Sequence, residues 1–382
     1  MTALPVRRCL VVSTTYVDAA PRGKLRALAA LGIEVTAAVP QRWPDPVYGR
    51  LREASWVRQG GVELFPLRVD GTDPAEARFR RRELITLIRD KRPDLVQIEE
   101  TPGGALATQV ARAARSARIP VVFWSAANVR WPGGWSAARR RRSTLRFAHG
   151  ALAGSGAAGR MLVRVRSDLP VEVVPQHGVP VPPQPVHEPH EGMRIMCVGR
   201  LEPRRGLDTL LDALSARRMH EWTLTVVGDG PDRERLEALA TKLRLAARIR
   251  WAGALPAEHV LTLWPRVDVL VHSPRALIDW EEPYGDVVAE AMGHEVAVVG
   301  TQSGAVPETI GDAGLVVAPD DATALAEALA RLADPAQQRA FAAAARARAL
   351  ALFTDDAVAE RTVNFWQRVL QPIDPRPPRP GR

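Results

Sequence analysis

The sequence predicts an α/β protein made of two parallel-sheet domains that face each other across a cleft. Three observations carry this expectation. Short apolar runs alternate with stretches of helical period from the ninth residue onward, the alternation stops once at a proline-rich segment, and it then begins again. The chain has 382 residues, enough for two domains that each bury a core.

Residues 9–13 read as the first strand, 24–31 as a helix stopped by Gly32, and 34–39 as a second strand closed by Pro40. The rhythm continues with a helix over 81–89, a strand over 95–98, a helix over 105–114 and a strand over 120–124. Strands separated by helices imply a parallel sheet covered on both faces. Between Pro180 and Pro189 five of ten residues are proline, which sustains neither a helix nor a central strand, so the interdomain linker is placed there. A new series follows: strand 194–198, helix 206–214, strand 222–228, helix 233–243, then further short segments at 267–272, 287–292, 296–299 and 315–317. A final helical stretch carries Val358, Val363, Phe365, Trp366 and Val369. The expected division is a first Rossmann-like domain over 1–179, a linker over 180–193 and a second Rossmann-like domain over 194–352. A helix over 353–371, free to cross back to the first domain, and a disordered tail over 372–382 complete it.

Composition excludes a disordered or fibrous chain, with 46% hydrophobic and 25% charged residues. The net charge of +9 suits anionic ligands, an acidic membrane surface or nucleic acid without choosing among them. Cys9 and Cys197 lie in apolar runs and read as buried free thiols, not a disulfide framework or a zinc site. No run of 18 apolar residues occurs and no secretory h-region follows Met1, so the expectation is a cytoplasmic protein without a membrane span.

Two segments carry chemistry. In Val198-Gly199-Arg200-Leu201-Glu202-Pro203-Arg204-Arg205-Gly206, between a strand and a helix, glycine allows close backbone approach, and arginines supply donors matched to phosphate. Taken alone, it is equally a surface turn with solvated arginines. The second segment runs Asp279-Trp280-Glu281-Glu282-Pro283-Tyr284-Gly285-Asp286-Val287-Val288-Ala289-Glu290-Ala291-Met292. Glu282 falls on a loop, and Glu290 about one turn into the helix after Gly285. One carboxylate can accept from a sugar hydroxyl and the other from a ribose diol, while the N–H groups of Gly285, Asp286 and Val287 face phosphates. The plain alternative for Glu290 is a solvated helix face.

At these residues the sequence resembles the family 4 retaining glycosyltransferases, glycosyl transferases group 1, of GT-B architecture. Glu282, Tyr284-Gly285 and Glu290-Ala291-Met292 match the family's paired-glutamate pattern. Gly199-Arg200-Leu201 and Arg205-Gly206 resemble its diphosphate site, and Gly304-Ala305-Val306-Pro307-Glu308 is a further match. The resemblance covers nearly all of residues 194–350 and is looser before the linker. Three departures stand out. Arg205 replaces the usual Lys, residues 14–18 lack the family's glycine pair, and no histidine follows the strand ending at Trp124, where Asn128 is the nearest polar side chain.

The resemblance implies a metal-independent hexosyltransferase with no cofactor beyond its donor substrate. It would move a sugar, with retention, from a nucleoside-diphosphate sugar to an acceptor of unknown identity: envelope glycan, glycolipid or natural product. The departing phosphate would help to remove the acceptor proton. Charge growing on the diphosphate would meet Arg200, Arg205 and the helix start at Gly285. Glu282 is expected on the transferred sugar and Glu290 on the ribose, with Gly199, Tyr284, Gly285, Asp286 and Val287 completing the donor site. Acceptor-side candidates are Asn128 and the paired Glu99 and Glu100, although the glutamates equally suit a cap on the next turn.

Arg78, Arg80, Arg81 and Arg82 precede Leu84, Ile85, Leu87 and Ile88, and Arg139 to Arg142 lie near Trp131 and Trp135. Both clusters read first as solvated surface and second as peripheral contact with an acidic membrane face; no nucleic-acid partner is expected. Two alternatives use the same fold: a nucleotide-sugar epimerase, and a catalytically inactive basic binding or partner protein whose binding collapses with salt and does not need Glu282.

Overall fold

The computed structural model describes residues 6–44, 51–71, 76–131, 133–216 and 221–371. The tail expected over 372–382 lies outside the described residues. The first lobe runs β1 (Arg8–Val12), α1 (Gly23–Ala30), β2 (Glu34–Pro40), β3 (Arg42–Pro44), β4 (Leu51–Glu53), β5 (Val57–Gln59), β6 (Val62–Leu67), β7 (Val69–Asp70) and β8 (Arg78–Phe79). It continues with α2 (Arg81–Lys91), β9 (Leu95–Ile98), α3 (Ala105–Ser116), β10 (Val121–Ser125), α4 (Trp135–Leu145), β11 (Gly150–Ala153), α5 (Gly156–Val165) and β12 (Val171–Val173). The second lobe runs β13 (Met193–Val198), α6 (Leu207–Ser215), β14 (Trp222–Val227), α7 (Arg233–Lys242), β15 (Ile249–Gly253), α8 (Ala257–Leu261), β16 (Val269–His272) and α9 (Asp286–Gly293). After these come β17 (Ala297–Thr301), α10 (Val306–Ile310), β18 (Leu315–Val317), α11 (Ala322–Leu332), α12 (Pro335–Leu352) and α13 (Asp355–Leu370).

The first sheet has the order β12-β11-β10-β9-β1-β2-β6-β5 and the second β15-β14-β13-β16-β17-β18. The second is parallel throughout, as expected. The first departs at one edge, where β5 runs antiparallel to β6 with Gln59 opposite Val62. The loop between them is Gly60-Gly61, both at positive φ, as a two-residue turn matching the twist of a hairpin requires.

Both faces of the first sheet are covered. Cys9 and Val11 of β1 join one buried cluster and Leu10 and Val12 the other. The first of these clusters takes in Val358, Val363, Phe365 and Trp366, so α13 returns from the second lobe to close the core of the first. The Trp366 indole donates to Gln97 Oε1 at 2.7 Å. Residues 180–192 carry no regular structure, and Arg346 of α12 ties the Pro182 and Pro183 carbonyls to the second lobe at 2.7 and 3.0 Å.

In each sheet the strand order reverses at one adjacent pair, β1/β9 in the first and β13/β16 in the second. Chain leaving the carboxyl ends of such a pair departs in opposite directions and opens a crevice. Gly199 and Ser273 follow the second pair, and Ser13 and Glu99 follow the first. The arginine loop, the glutamate segment and the Glu99-Glu100 pair therefore follow switch-point strands, while Asn128 follows the neighbouring β10. Among the described residues no helix is long and apolar enough to cross a membrane.

Candidate functional site

In the second lobe, Gly199 has φ +153°, and a side chain placed there would meet nothing within 4 Å. The backbone is therefore bare toward open space. Gly206, at φ +64°, serves packing instead, because any side chain on it would run into the Ser273 carbonyl. Between them Arg200 and Arg204 share Glu202, with Nε to carboxylate distances of 2.7 and 2.6 Å. Arg205 forms an ion pair with Glu282, and its guanidinium carbon lies 5.3 Å from the centre of the Trp280 ring. Its Nε is buried and has no hydrogen-bond partner among the described residues.

Glu282 is 5% exposed, deeper than a loop residue awaiting a sugar would be. Its carboxylate is occupied by Arg205 and approached by His272 Nε2 at 3.3 Å. Burial alone would raise its pKa. His272 and the Arg205 charge beside the carboxylate, with the Tyr284 N–H, together outweigh that and hold the carboxyl below the usual carboxylate range. Its main chain is fixed on both sides: Ser303 Oγ lies 3.1 Å from its N–H, and its carbonyl accepts from Ala305 N at 2.9 Å and from Asn128 Nδ2 at 3.1 Å.

Gly285 caps α9, with Asp286 and Val287 in the first turn. These leading N–H groups have no intrahelical partner and make an electropositive mouth. Tyr284 stacks its ring on Trp124 of the first lobe, centroids 6.2 Å apart and planes 7° from parallel. Asp286 Oδ2 lies 3.7 Å from His177 Nε2. Glu290 Oε1 accepts from Trp264 Nε1 at 2.7 Å, and burial pushes its carboxyl up to about 7, against the Trp264 hydrogen bond and with the Asp286 charge adding to the rise.

The first lobe gives different partners to the two carboxylates that the sequence paired. Glu99 is 4% exposed, forms an ion pair with fully buried Lys24 of α1, and accepts from Tyr16 at 2.8 Å, Gln97 at 2.5 Å and Gln176 at 3.2 Å. A carboxylate so fully paired braces the core. Glu100 has a different partner. It accepts from the Thr14 N–H at 2.5 Å, and burial pushes its carboxyl up to about 7 against the hydrogen bonds from Thr14, with Glu99 adding to the rise. A cavity of about 350 Å³ between the lobes is lined by Thr14, Glu99, Glu100, Asn128, Trp280 and Tyr284, so both glutamates border it. Asn128 stands on its first-lobe side but spends its amide on the Glu282 carbonyl, bridging the lobes.

Two further expectations are amended. Arg139 to Arg142 belong to α4 itself, and Arg141 is buried with its guanidinium carbon 4.6 Å from the centre of the Trp131 ring. Cys197 is free but only partly buried. Sequence reasoning also missed His272, Trp264 and Trp280. His272 is the last residue of β16, and a histidine closing a strand at a switch point was the available signal. Trp280 stands in the glutamate segment itself, whereas nothing local marks Trp264, whose partner Glu290 lies 26 residues on.

Two parallel-sheet lobes, with a cation-bearing strand-end loop set against a glutamate-bearing helix start, make up the GT-B architecture. The family model described as glycosyl transferases group 1 matches residues 183–348, and that described as glycosyl transferase 4-like domain matches 19–177. The chain belongs to the glycosyl transferases group 1. It is 36% identical over 160 residues to a GDP-mannose-dependent alpha-(1-6)-phosphatidylinositol monomannoside mannosyltransferase of Mycolicibacterium smegmatis, covering 40% of this chain and 42% of that protein. It is 33% identical over 177 residues to glycogen synthase of Mycobacterium tuberculosis, covering 45% of this chain and 42% of that protein. The matches thus span less than half the length of these curated relatives. Among solved structures, Anabaena HepE in complex with UDP-glucose superposes with TM-score 0.70 at 18% identity, over 94% of this chain and 99% of that one. Sucrose-phosphate synthase from Thermosynechococcus elongatus gives 0.69 at 19% identity, over 95% and 99%.

Proposed function

We propose that this protein is a retaining hexosyltransferase that takes a nucleoside-diphosphate sugar as donor. The observation that carries the reading is that the loops leaving the paired strands β13 and β16 are joined by the Arg205–Glu282 ion pair and the Ser273–Gly206 hydrogen bond, which sets the bare Gly199 backbone and Arg205 on the loop beside the one that leads into α9, with Glu290 on the second turn of that helix. A diphosphate laid across this crevice meets fixed positive groups, and the ribose reaches Glu290. As the anomeric bond breaks, negative charge grows on the leaving phosphate, and preorganised donors stabilise it at little reorganisation cost. The reading assigns that work to Arg200, Arg205 and the helix mouth, and no metal is needed. Glu282, held ionised by His272 and Arg205, lies beneath the sugar position, with the Tyr284 ring and the Gly285 turn beside it.

The acceptor enters from the first lobe, toward Glu100 and Asn128. The basic surface where Arg81 and Arg89 of α2 and Arg78 of β8 border Ile85 and Ile88 suits peripheral contact with an anionic membrane surface, which fits an acceptor carried on a lipid. The mycobacterial relative is named for GDP-mannose, and HepE was solved with UDP-glucose. These two donors therefore head the panel.

The test is turnover. Each donor is incubated with the protein and a lipid extract, with and without EDTA, and nucleoside diphosphate release and sugar transfer are followed. Release coupled to an α-linked product from an α-linked donor, unaffected by EDTA and lost in Arg205→Ala, supports the reading. An epimerised donor without transfer, or no turnover of any donor, overturns it.

A further inference from the structure

Trp264 is 1% exposed and among the largest fully buried side chains of the molecule. An indole N–H in such a place needs an acceptor, because leaving it unpaired costs the full desolvation of the group. It finds one in Glu290 Oε1, 2.7 Å away. The indole has no freedom to follow the carboxylate elsewhere: it lies in a cluster with Leu270, Val288 and Met292, and its ring is 5.9 Å from that of His294 at a tilt of 32°. Glu290 is only partly buried. Its second oxygen has no hydrogen bond among the described residues and is not among the buried polar atoms left unpaired. One oxygen is pinned inward and the other remains open.

We propose that Trp264 is the positioning residue of the donor site, its buried N–H fixing Glu290 so that the remaining oxygen is presented to the vicinal hydroxyls of the donor's ribose. The inference deepens the donor reading and rests on it. An ionised carboxylate accepts from both hydroxyls, whereas a protonated one has lost part of that capacity. Burial places the Glu290 titration close to neutrality, where the Trp264 N–H decides how much of the group is charged. The other groups facing this end of α9 are few. Asp286 lies on the same helix and disfavours ionisation. His294 turns Nδ1 toward the Glu290 carbonyl at 2.9 Å, and His187 of the linker acts on His294. Arg346 of α12 is held by the Gly293 carbonyl at 2.5 Å, and Arg266, beside Trp264, by Glu188 at 2.9 Å.

The experiment is calorimetric titration of GDP and UDP, with their 2′-deoxy counterparts, from about pH 6 to about pH 9. The proteins are the intact chain, Trp264→Phe and Glu290→Gln, each with its melting temperature measured. Wild-type affinity should rise through about pH 7. Trp264→Phe should bind about tenfold more weakly near neutrality, as loss of a hydrogen bond to a charged group implies, with the rise displaced to higher pH and affinity recovered there. It should also discriminate less against the 2′-deoxy nucleotides. Should the variant not fold, the indole N–H resonances of the intact protein give the answer. One of them should titrate near neutrality, and that titration should be absent in Glu290→Gln. A Trp264→Phe variant with unchanged affinity, or with a loss equal at every pH, overturns the inference while leaving the donor reading intact. If the intact protein binds neither nucleotide at any pH, the donor reading falls and takes this inference with it.

Discussion

Arg205 and Glu282 stand 77 residues apart in the chain and neutralise each other at the floor of the second lobe's crevice. The cation assigned to the donor phosphate and the carboxylate assigned to the sugar are thus one unit before any donor arrives. Removing the carboxylate releases the guanidinium. Glu282→Ala should therefore bind nucleoside diphosphate at least as tightly as wild type, while sugar transfer falls by about 100-fold or more. Calorimetry beside a turnover assay checks both halves, and a parallel loss of both would mean that Glu282 serves only to hold Arg205.

His272 supplies the largest of the effects that keep Glu282 ionised. A carboxyl whose folded pKa is depressed contributes stability above its unfolded value of about 4.5, and that contribution is lost as pH falls through the folded value. His272→Leu weakens this hold. The expected outcome is a loss of about 1–3 kcal/mol at neutral pH and an acid-unfolding midpoint moved upward. Circular dichroism across an acid titration reads both, and coincident wild-type and variant curves would contradict the assignment.

Glu100 works in the opposite sense. Its folded pKa of about 7 lies above the unfolded 4.5, so the native state binds more protons between those values, and stability falls as pH rises through that window. Glu100→Gln should stabilise the protein by about 1 kcal/mol or more above neutrality and have little effect near pH 4. Melting temperatures at the two extremes separate this from a pH-independent effect.

Beneath the first lobe, Lys24 and Glu99 are sealed together away from solvent. Breaking one partner of such a pair leaves an uncompensated buried charge. Lys24→Met should cost about 3–5 kcal/mol in denaturant unfolding. A cost below about 1 kcal/mol would show that Tyr16, Gln97 and Gln176 satisfy the carboxylate without the lysine.

Much of this architecture is legible in the chain because the period of apolar residues records it. The β13 strand and the helix after Gly206 flank the arginine loop in sequence as they do in space, so that loop was readable. The β5–β6 hairpin was not picked out, although Gly60-Gly61 is a turn signal: β5 has three mostly exposed residues and no alternation to mark it as a strand. Glu99 and Glu100 look equivalent as letters, yet the lysine that claims Glu99 lies 75 positions earlier, while Glu100 is held by the Thr14 N–H. Separation in sequence likewise hides Trp264 from Glu290, 26 residues on, and Asn128 from Glu282, 154 residues on. Local pattern locates the donor loop and the helix start, but their tertiary partners enter only through the fold.

The central claim is that Arg205, the Gly199 backbone and the α9 N-terminus together hold a diphosphate, and calorimetric titration with GDP, UDP and inorganic pyrophosphate tests it most directly. The account predicts saturable binding of at least one nucleoside diphosphate, weakened about tenfold or more in Arg205→Ala, as expected when a charge-assisted contact is removed. Equal affinity in that variant, or no heat from any of these ligands, would contradict it.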